Sequence, residues 1–314
     1  MELIRGLHNL RPRHRGCVAT IGNFDGVHLG HQAVLGQLAD KAAELHVPGT
    51  VITFEPLPRE YFAPEQAPGR LMRLREKLQA LNRYGVDRVL LLRFDARLAA
   101  LSAGDFVQKI LVDGLGIRHL VIGDDFRFGR GREGDIDFLR AAGRRHGFGV
   151  SPTPSFLIDG CRVSSTRIRE LLGAGDLDAA ARLLGRPYRL SGRVVHGNKL
   201  GRELGFPTAN MPFGDYAPPL SGIFVVETWG LPEEPRPGVA SLGVRPTIDA
   251  QSTEYVLEVH LFDFEGDLYG RHLSVDFLHK LRDEARFESL EALTEQIDRD
   301  AQAARAFLAR RISC

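Results

Sequence analysis

An α/β unit on a parallel sheet, followed by a small antiparallel β-barrel with a C-terminal helix, is the architecture the sequence predicts, and three observations predict it. Apolar strand-like runs alternate with helix-like segments through residues 1–185, the pattern of βαβ units. Beyond Gly185-Arg186-Pro187 the texture changes to short β-rich runs broken by Gly and Pro. At 314 residues the chain is long enough for two cores, single domains usually running to roughly 100–200 residues. The expected domains are therefore 1–185 and 186–314.

In the first half, strands are expected at Cys17–Ile21, Thr50–Phe54, Arg88–Leu92 and His119–Ile122, with helices around Leu29–Leu45, Leu71–Arg83 and Ala103–Leu115. Right-handed crossovers set the loops after these strands along one edge, where parallel sheets bind nucleotides. Asp159-Gly160 predicts a hairpin between Val150–Ile158 and Cys161–Val163; a helix opening at Ser164 and another over Asp176–Leu184 close the domain. In the second half, strands are expected at Tyr188–His196, Gly222–Thr228, Val239–Leu242, Tyr255–Phe262 and Leu273–Leu281. The final helix has Ser289 as N-cap and an apolar face of Leu290, Leu293, Ile297, Ala301, Ala304 and Leu308.

The unusual residues fall in the loops. Gly22-Asn23-Phe24-Asp25-Gly26 links the first strand to the first helix, and its glycines let backbone N–H groups approach a phosphate at the helix start. His28 and His31, three apart, can face one side of the first helical turn and donate to the same polyphosphate. A lone histidine there would be ordinary surface; a pair framed by glycines is not. In the later glycine-rich loop, Phe126 and Phe128 are costly to leave in water and suit a flat ring system such as isoalloxazine or adenine. In the second half, Gly197, Gly201 and Gly205 interleave with Lys199 and Arg202 as a second candidate phosphate pocket, although glycines and charges alone also fit a solvated loop. Tyr255, Leu257, Val259 and Leu261 alternate onto one apolar face and leave Glu258 on the other.

His28-Leu29-Gly30-His31 resembles the H-x-G-H signature of nucleotidylyltransferases, and the longer Gly22–Gln32 run resembles the prokaryotic bifunctional riboflavin kinase and FAD synthetase family, over nearly the whole chain. The resemblance implies a nucleotidylyltransferase-type, Rossmann-like first domain. Val163-Ser164-Ser165-Thr166-Arg167-Ile168-Arg169 resembles the second signature of that fold, with Val for Ile, which implies that Ser164, Thr166 and Arg169 bind ATP phosphates and that Arg169 faces developing charge. Phe128-Gly129-x-x-Arg132-x-Gly134-Asp135 matches the family's adenylylation region, making Asp125, Phe126, Arg127 and Phe128 flavin-side candidates. Leu57 departs from the polar residue common in relatives. Pro207-Thr208-Ala209-Asn210 resembles the riboflavin kinase signature that positions Mg²⁺ and phosphate through Thr208 and Asn210, and the same resemblance makes Glu258 the base for the riboflavin 5′-hydroxyl.

The implied activity is ATP-dependent phosphorylation of riboflavin to FMN, releasing ADP, and adenylylation of FMN to FAD, releasing pyrophosphate. A protein keeping one activity, and a nucleotide sensor with an RNA-binding barrel, are the competing readings. Net charge of +1 disfavours nucleic acid or a membrane surface as partner. Cys17, Cys161 and Cys314 have neither disulfide nor zinc spacing, no run approaches the ~20 apolar residues of a membrane span, and Met1–Leu10 lacks the apolar segment of a leader. A cytoplasmic monomer or weak homo-oligomer is expected.

Overall fold

The computed structural model describes all residues except 198–200, 202–203, 215, 233–234, 247–252 and 313–314. By its contacts the chain forms two units, Met1–Pro68 with Met72–Ser164, and Gly69–Leu71 with Ser165–Cys314.

The first unit contains, in chain order, β1 (Glu2–Arg5), β2 (Val18–Ile21), α1 (Leu29–Leu45), β3 (Gly49–Glu55), α2 (Pro58–Phe62), α3 (Leu74–Arg83), β4 (Arg88–Arg93), α4 (Ala96–Ala99), α5 (Ala103–Phe106), β5 (His119–Gly123), α6 (Ile136–His146), β6 (Gly149–Thr153), β7 (Leu157–Ile158) and β8 (Cys161–Arg162). A wider π-type winding carries α5 on through Val107–Gly114. Six strands pair in the order β1-β4-β3-β2-β5-β6, all in parallel. Central strands are buried along their length because helices cover both faces, which is why they read as continuous apolar runs. One face packs Ile21, Ile52, Leu90 and Ile122 with Phe106 and Ile110; the other packs Val18, Val51 and Val89 with Leu35, Leu38 and Leu81.

The second unit holds α7 (Ser165–Gly173), α8 (Leu177–Leu184), β9 (Tyr188–Arg193), β10 (Ala209–Gly214), β11 (Gly222–Trp229), β12 (Arg236–Pro246), β13 (Thr253–Leu261), β14 (His272–Arg282) and α9 (Leu290–Ile312). Its antiparallel sheet runs β10-β13-β12-β11-β14-β9, and a bridge from Val195 to Asn210 brings the two edges together into a barrel. Asp176 caps α8 and Ser289 caps α9 through their side-chain oxygens.

Three expectations need correction. Val150–Ile158 is not one hairpin arm: Gly149–Thr153 joins the parallel sheet beside β5, Pro154 breaks the run, and only Leu157–Ile158 pairs with Cys161–Arg162. The strands β1 and β10 were absent from the sequence reading. Leu290 is 54% exposed, so the buried face of α9 begins later and centres on Ala304, with Ala301, Phe307 and Leu308 packed around Val225, Phe262 and Leu278.

Candidate active sites

The turn after β2 is held open by its own backbone. Gly26 (φ 88) takes a left-handed conformation at no steric cost, whereas Phe24 (φ 49) and the β-branched Val27 (φ 40) do so under strain. Packing sustains that strain: Phe24 and Val27 are buried against Leu35 and Met72. Gly22 N–H donates to the Ile52 carbonyl at 3.1 Å, and the Thr53 hydroxyl donates to the Asn23 carbonyl at 3.4 Å. Asp25 is buried and its Oδ1 accepts the Met72 N–H at 3.0 Å, mooring the start of α3 to the turn.

His28 is the N-cap of α1; its Nδ1 accepts the His31 N–H at 3.3 Å, which puts the ring proton on Nε2. The two imidazoles stack with centroids 3.7 Å apart and planes at 17°. His31 Nδ1 is shut off from solvent with no hydrogen-bond partner. Burial foremost, then the charges of His28 and Lys77, hold His31 well below the usual histidine range. Lys77, fully buried on α3 and electrostatically coupled to His31, was missed in the sequence. The available signal was its place on the apolar face of α3 with Ala80 and Leu81.

The second signature begins beside the first: a Cβ at Gly30 would lie 3.6 Å from the Val163 carbonyl, one residue before Ser164. Ser164 ends the first unit; Thr166 and Arg169 ride on α7 in the second, where Arg169 Nε donates to the Gly69 carbonyl at 2.6 Å. In the glycine-rich loop Phe126 and Phe128 stack at 5.7 Å and 11°. Phe128 is buried against Phe106 and Phe138, while Phe126 is half-buried. Asp125 pairs with Arg162 at 2.5 Å and Arg127 with Asp135 at 3.0 Å. The Phe138 N–H, then Arg127, hold the Asp135 carboxyl below its usual range. Leu57 is buried and precedes α2.

In the barrel, Glu258 pairs across β13 with Asn210 on β10 and Ser241 on β12. It borders a cavity of about 380 Å³ whose walls include Leu204, Phe206, Ile223, Phe287, Leu293 and Ile297. This volume and apolar lining fit a planar ligand of flavin size. A second cavity of about 690 Å³ is lined by Gly197, Thr208, Asn210, Phe264, Asp267 and Tyr269. Thr208 lies on the wall of both. Asn210 Nδ2 donates to the Thr208 carbonyl and to its Oγ1, each at 3.3 Å. A Cβ at Gly197 would run into the Asn210 amide, so a larger residue there would displace that side chain. Lys199 and Arg202 lie outside the described residues.

The family model for FAD synthetase matches residues 10–167 and that for riboflavin kinase matches 184–308. The bifunctional riboflavin kinase/FMN adenylyltransferase of Pseudomonas fluorescens is 56% identical over 309 residues, covering 98% of both chains. The chain belongs to the bifunctional riboflavin kinase/FMN adenylyltransferase family. The Escherichia coli K12 member is 51% identical over 308 residues, again covering 98% of both chains. A crystal structure described as a macrolide-efflux protein from Streptococcus pneumoniae superposes with a TM-score of 0.82 at 30% identity, covering 97% of this chain and 99% of that one. Among the described residues, no helix is long and apolar enough to cross a membrane. As a riboflavin kinase/FMN adenylyltransferase the enzyme uses ATP twice, and the two family models fall on the parallel-sheet half and the barrel half.

Proposed function

We propose that riboflavin occupies the apolar barrel cavity with its 5′-hydroxyl at Glu258, that ATP lays its phosphates past Gly197 in the larger cavity, and that phosphoryl transfer occurs at Thr208; the sequence adds Lys199 and Arg202 as cations for those phosphates. The observation that carries this is Thr208 itself, on the wall of both cavities with Glu258 on one side and Asn210 on the other. Glu258 accepts the hydroxyl proton as the oxygen bonds to the γ-phosphorus, and the bond to the bridging oxygen breaks to release ADP. Thr208 and Asn210 are neutral donors, and among the described residues no cluster of three or more His, Cys, Asp or Glu gathers to cage an ion. That set fits Mg²⁺, which keeps several waters and is shared with substrate phosphates. Bound there, Mg²⁺ would neutralise charge on the transferring phosphoryl group.

For adenylylation, the resemblance assigns the turn Gly22-Asn23-Phe24-Asp25-Gly26, with Ser164 and Thr166, to the second ATP. Asp125, Phe126, Arg127 and Phe128 hold the flavin, Phe126 offering its ring face and the buried Phe128 supporting it. A phosphate oxygen of FMN bonds to the α-phosphorus, pyrophosphate leaves, and His28, His31 and Arg169 meet the charge it carries away. The division of labour follows the domains 1–185 and 186–314. A reducing, ATP-supplied cytoplasm suits the free thiols of Cys17 and Cys161, and the near-neutral charge gives nucleic acid or a membrane no electrostatic footing.

Separate assays of the two half-reactions test the assignment. Glu258→Gln keeps shape and loses basicity, so kinase turnover should fall by roughly 100- to 10,000-fold while adenylylation of supplied FMN persists. Kinase turnover within about tenfold of wild type, below that range, removes Glu258 as the base.

A further inference from the structure

We propose that His260 is a positioning residue for phosphoryl transfer, acting through the Pro207-Thr208 backbone rather than on substrate; the inference rests on the role of Thr208 put forward above. His260 stands two residues from Glu258 on β13, so both side chains share a face, and both border the apolar cavity. Its Nδ1 lies 3.0 Å from the Pro207 carbonyl oxygen. A carbonyl only accepts, so Nδ1 carries the proton and donates it. The ring meets Phe206 edge to face at 5.3 Å and 73°, and Phe262 at 5.9 Å and 72°. The imidazole is thus wedged between two aromatic rings with its donor aimed at the residue before Thr208.

The chain on either side of Thr208 is pinned as well. Phe206 N–H donates to the Gly201 carbonyl at 2.7 Å, closing the loop, and Asn210 Nδ2 holds the Thr208 carbonyl and hydroxyl from the far side. His260 therefore holds the chain just before Thr208, and Asn210 holds the Thr208 carbonyl and hydroxyl. Loss of the His260 bond releases the Pro207 carbonyl and lets Thr208 drift, and a misplacement of about 1 Å can cost about 100-fold in rate.

The test compares His260→Asn with His260→Gln in the full-length enzyme, because an Asn amide nitrogen stands where Nδ1 stood and a Gln amide nitrogen where Nε2 stood. His260→Gln should lower kinase kcat and raise the Mg²⁺ concentration for half-activation, together about 10- to 100-fold. FMN adenylylation should stay near wild type, and His260→Asn should recover most of the loss. Equal impairment of the Asn and Gln variants, or a loss confined to riboflavin KM, overturns the proposal, as does wild-type Mg²⁺ dependence in the Gln variant. Thr208→Ala separates the two ideas. If it leaves Mg²⁺ activation unchanged, the role of Thr208 fails; if it is impaired while His260→Gln is not, only the role of His260 fails.

Discussion

At His31, burial and charge stabilisation pull in opposite directions. Its imidazole is held neutral by its surroundings and by the nearby His28 and Lys77, yet its proposed task is to face a triphosphate. Phosphate oxygens beside it favour the charged form, so ATP binding at this site should take up protons near neutral pH. Titration calorimetry in buffers of different ionisation enthalpy, with Glu258→Gln used to silence phosphoryl transfer, would detect the uptake; buffer-independent heats would contradict it. The same depression has a stability consequence of fixed sign. An unfolded His31 binds its proton at about 6.5, so the stability owed to its neutral folded form is complete above that pH and drains away as pH falls from there through the folded value. His31→Gln should flatten that part of the stability profile, measured as Tm against pH. For the reaction itself, His28→Ala, His31→Ala and Arg169→Ala should each cut FAD formation from supplied FMN by roughly 100- to 1000-fold, with riboflavin phosphorylation unchanged. Intact adenylylation in all three would refute the assignment.

Elements decide which side chains reach the cavities, and α9 shows how. Arg282 at the end of β14 forms a forked pair with the buried Asp300 of α9, its Nη2 at 2.7 Å from Oδ2, and Gln296 adds a bond to the same carboxylate at 2.9 Å. This clamp fixes the helix whose Leu293 and Ile297 wall the apolar cavity. Removing one member leaves the other charge poorly paired, at a cost of about 3 kcal/mol when the site is buried and less here because Arg282 retains some solvent. Asp300→Ala should therefore lower Tm and raise riboflavin KM, while adenylylation of supplied FMN holds; an unchanged KM would show that the clamp does not shape the cavity. Legibility varied between elements for comparable physical reasons. The helix Leu29–Leu45 was readable residue for residue because its start is set by His28 and its end by the left-handed His46. The strand Ala209–Gly214 was not, since Asn, Pro and Gly disfavour β-structure and only pairing with β13 and burial of Met211 and Phe213 overrule them. The motif residues could be named from the sequence, whereas Lys77 was missed, because its one signal, a place on the apolar face of α3 with Ala80 and Leu81, gains weight only with its burial.

For the whole molecule, the open question is what the short helices at residues 165–185 belong to. The sequence sets them with the adenylyltransferase half, and the riboflavin kinase match starts at residue 184. The contacts group them with the barrel: α8 buries Leu177, Ala180, Leu183 and Leu184 and packs on β9 and β14. Function and packing can divide differently, since α7 carries Thr166 and Arg169 while α8 covers the barrel's flank. A fragment beginning at Arg186 retains Thr208, Asn210 and Glu258 and should make FMN and no FAD. A fragment beginning at Ser165 should have the same activity and melt higher, because it keeps the leucines that cover β9 and β14. Burial of a single leucine is worth about 2 kcal/mol, and in a domain of this size that shifts Tm by about 6 °C. Thermal melts of the two fragments, run beside riboflavin and FMN assays, give the answer. Equal melting temperatures would mean that α8 adds nothing to the barrel, and FAD produced by either fragment would mean that adenylylation does not need the histidine turn.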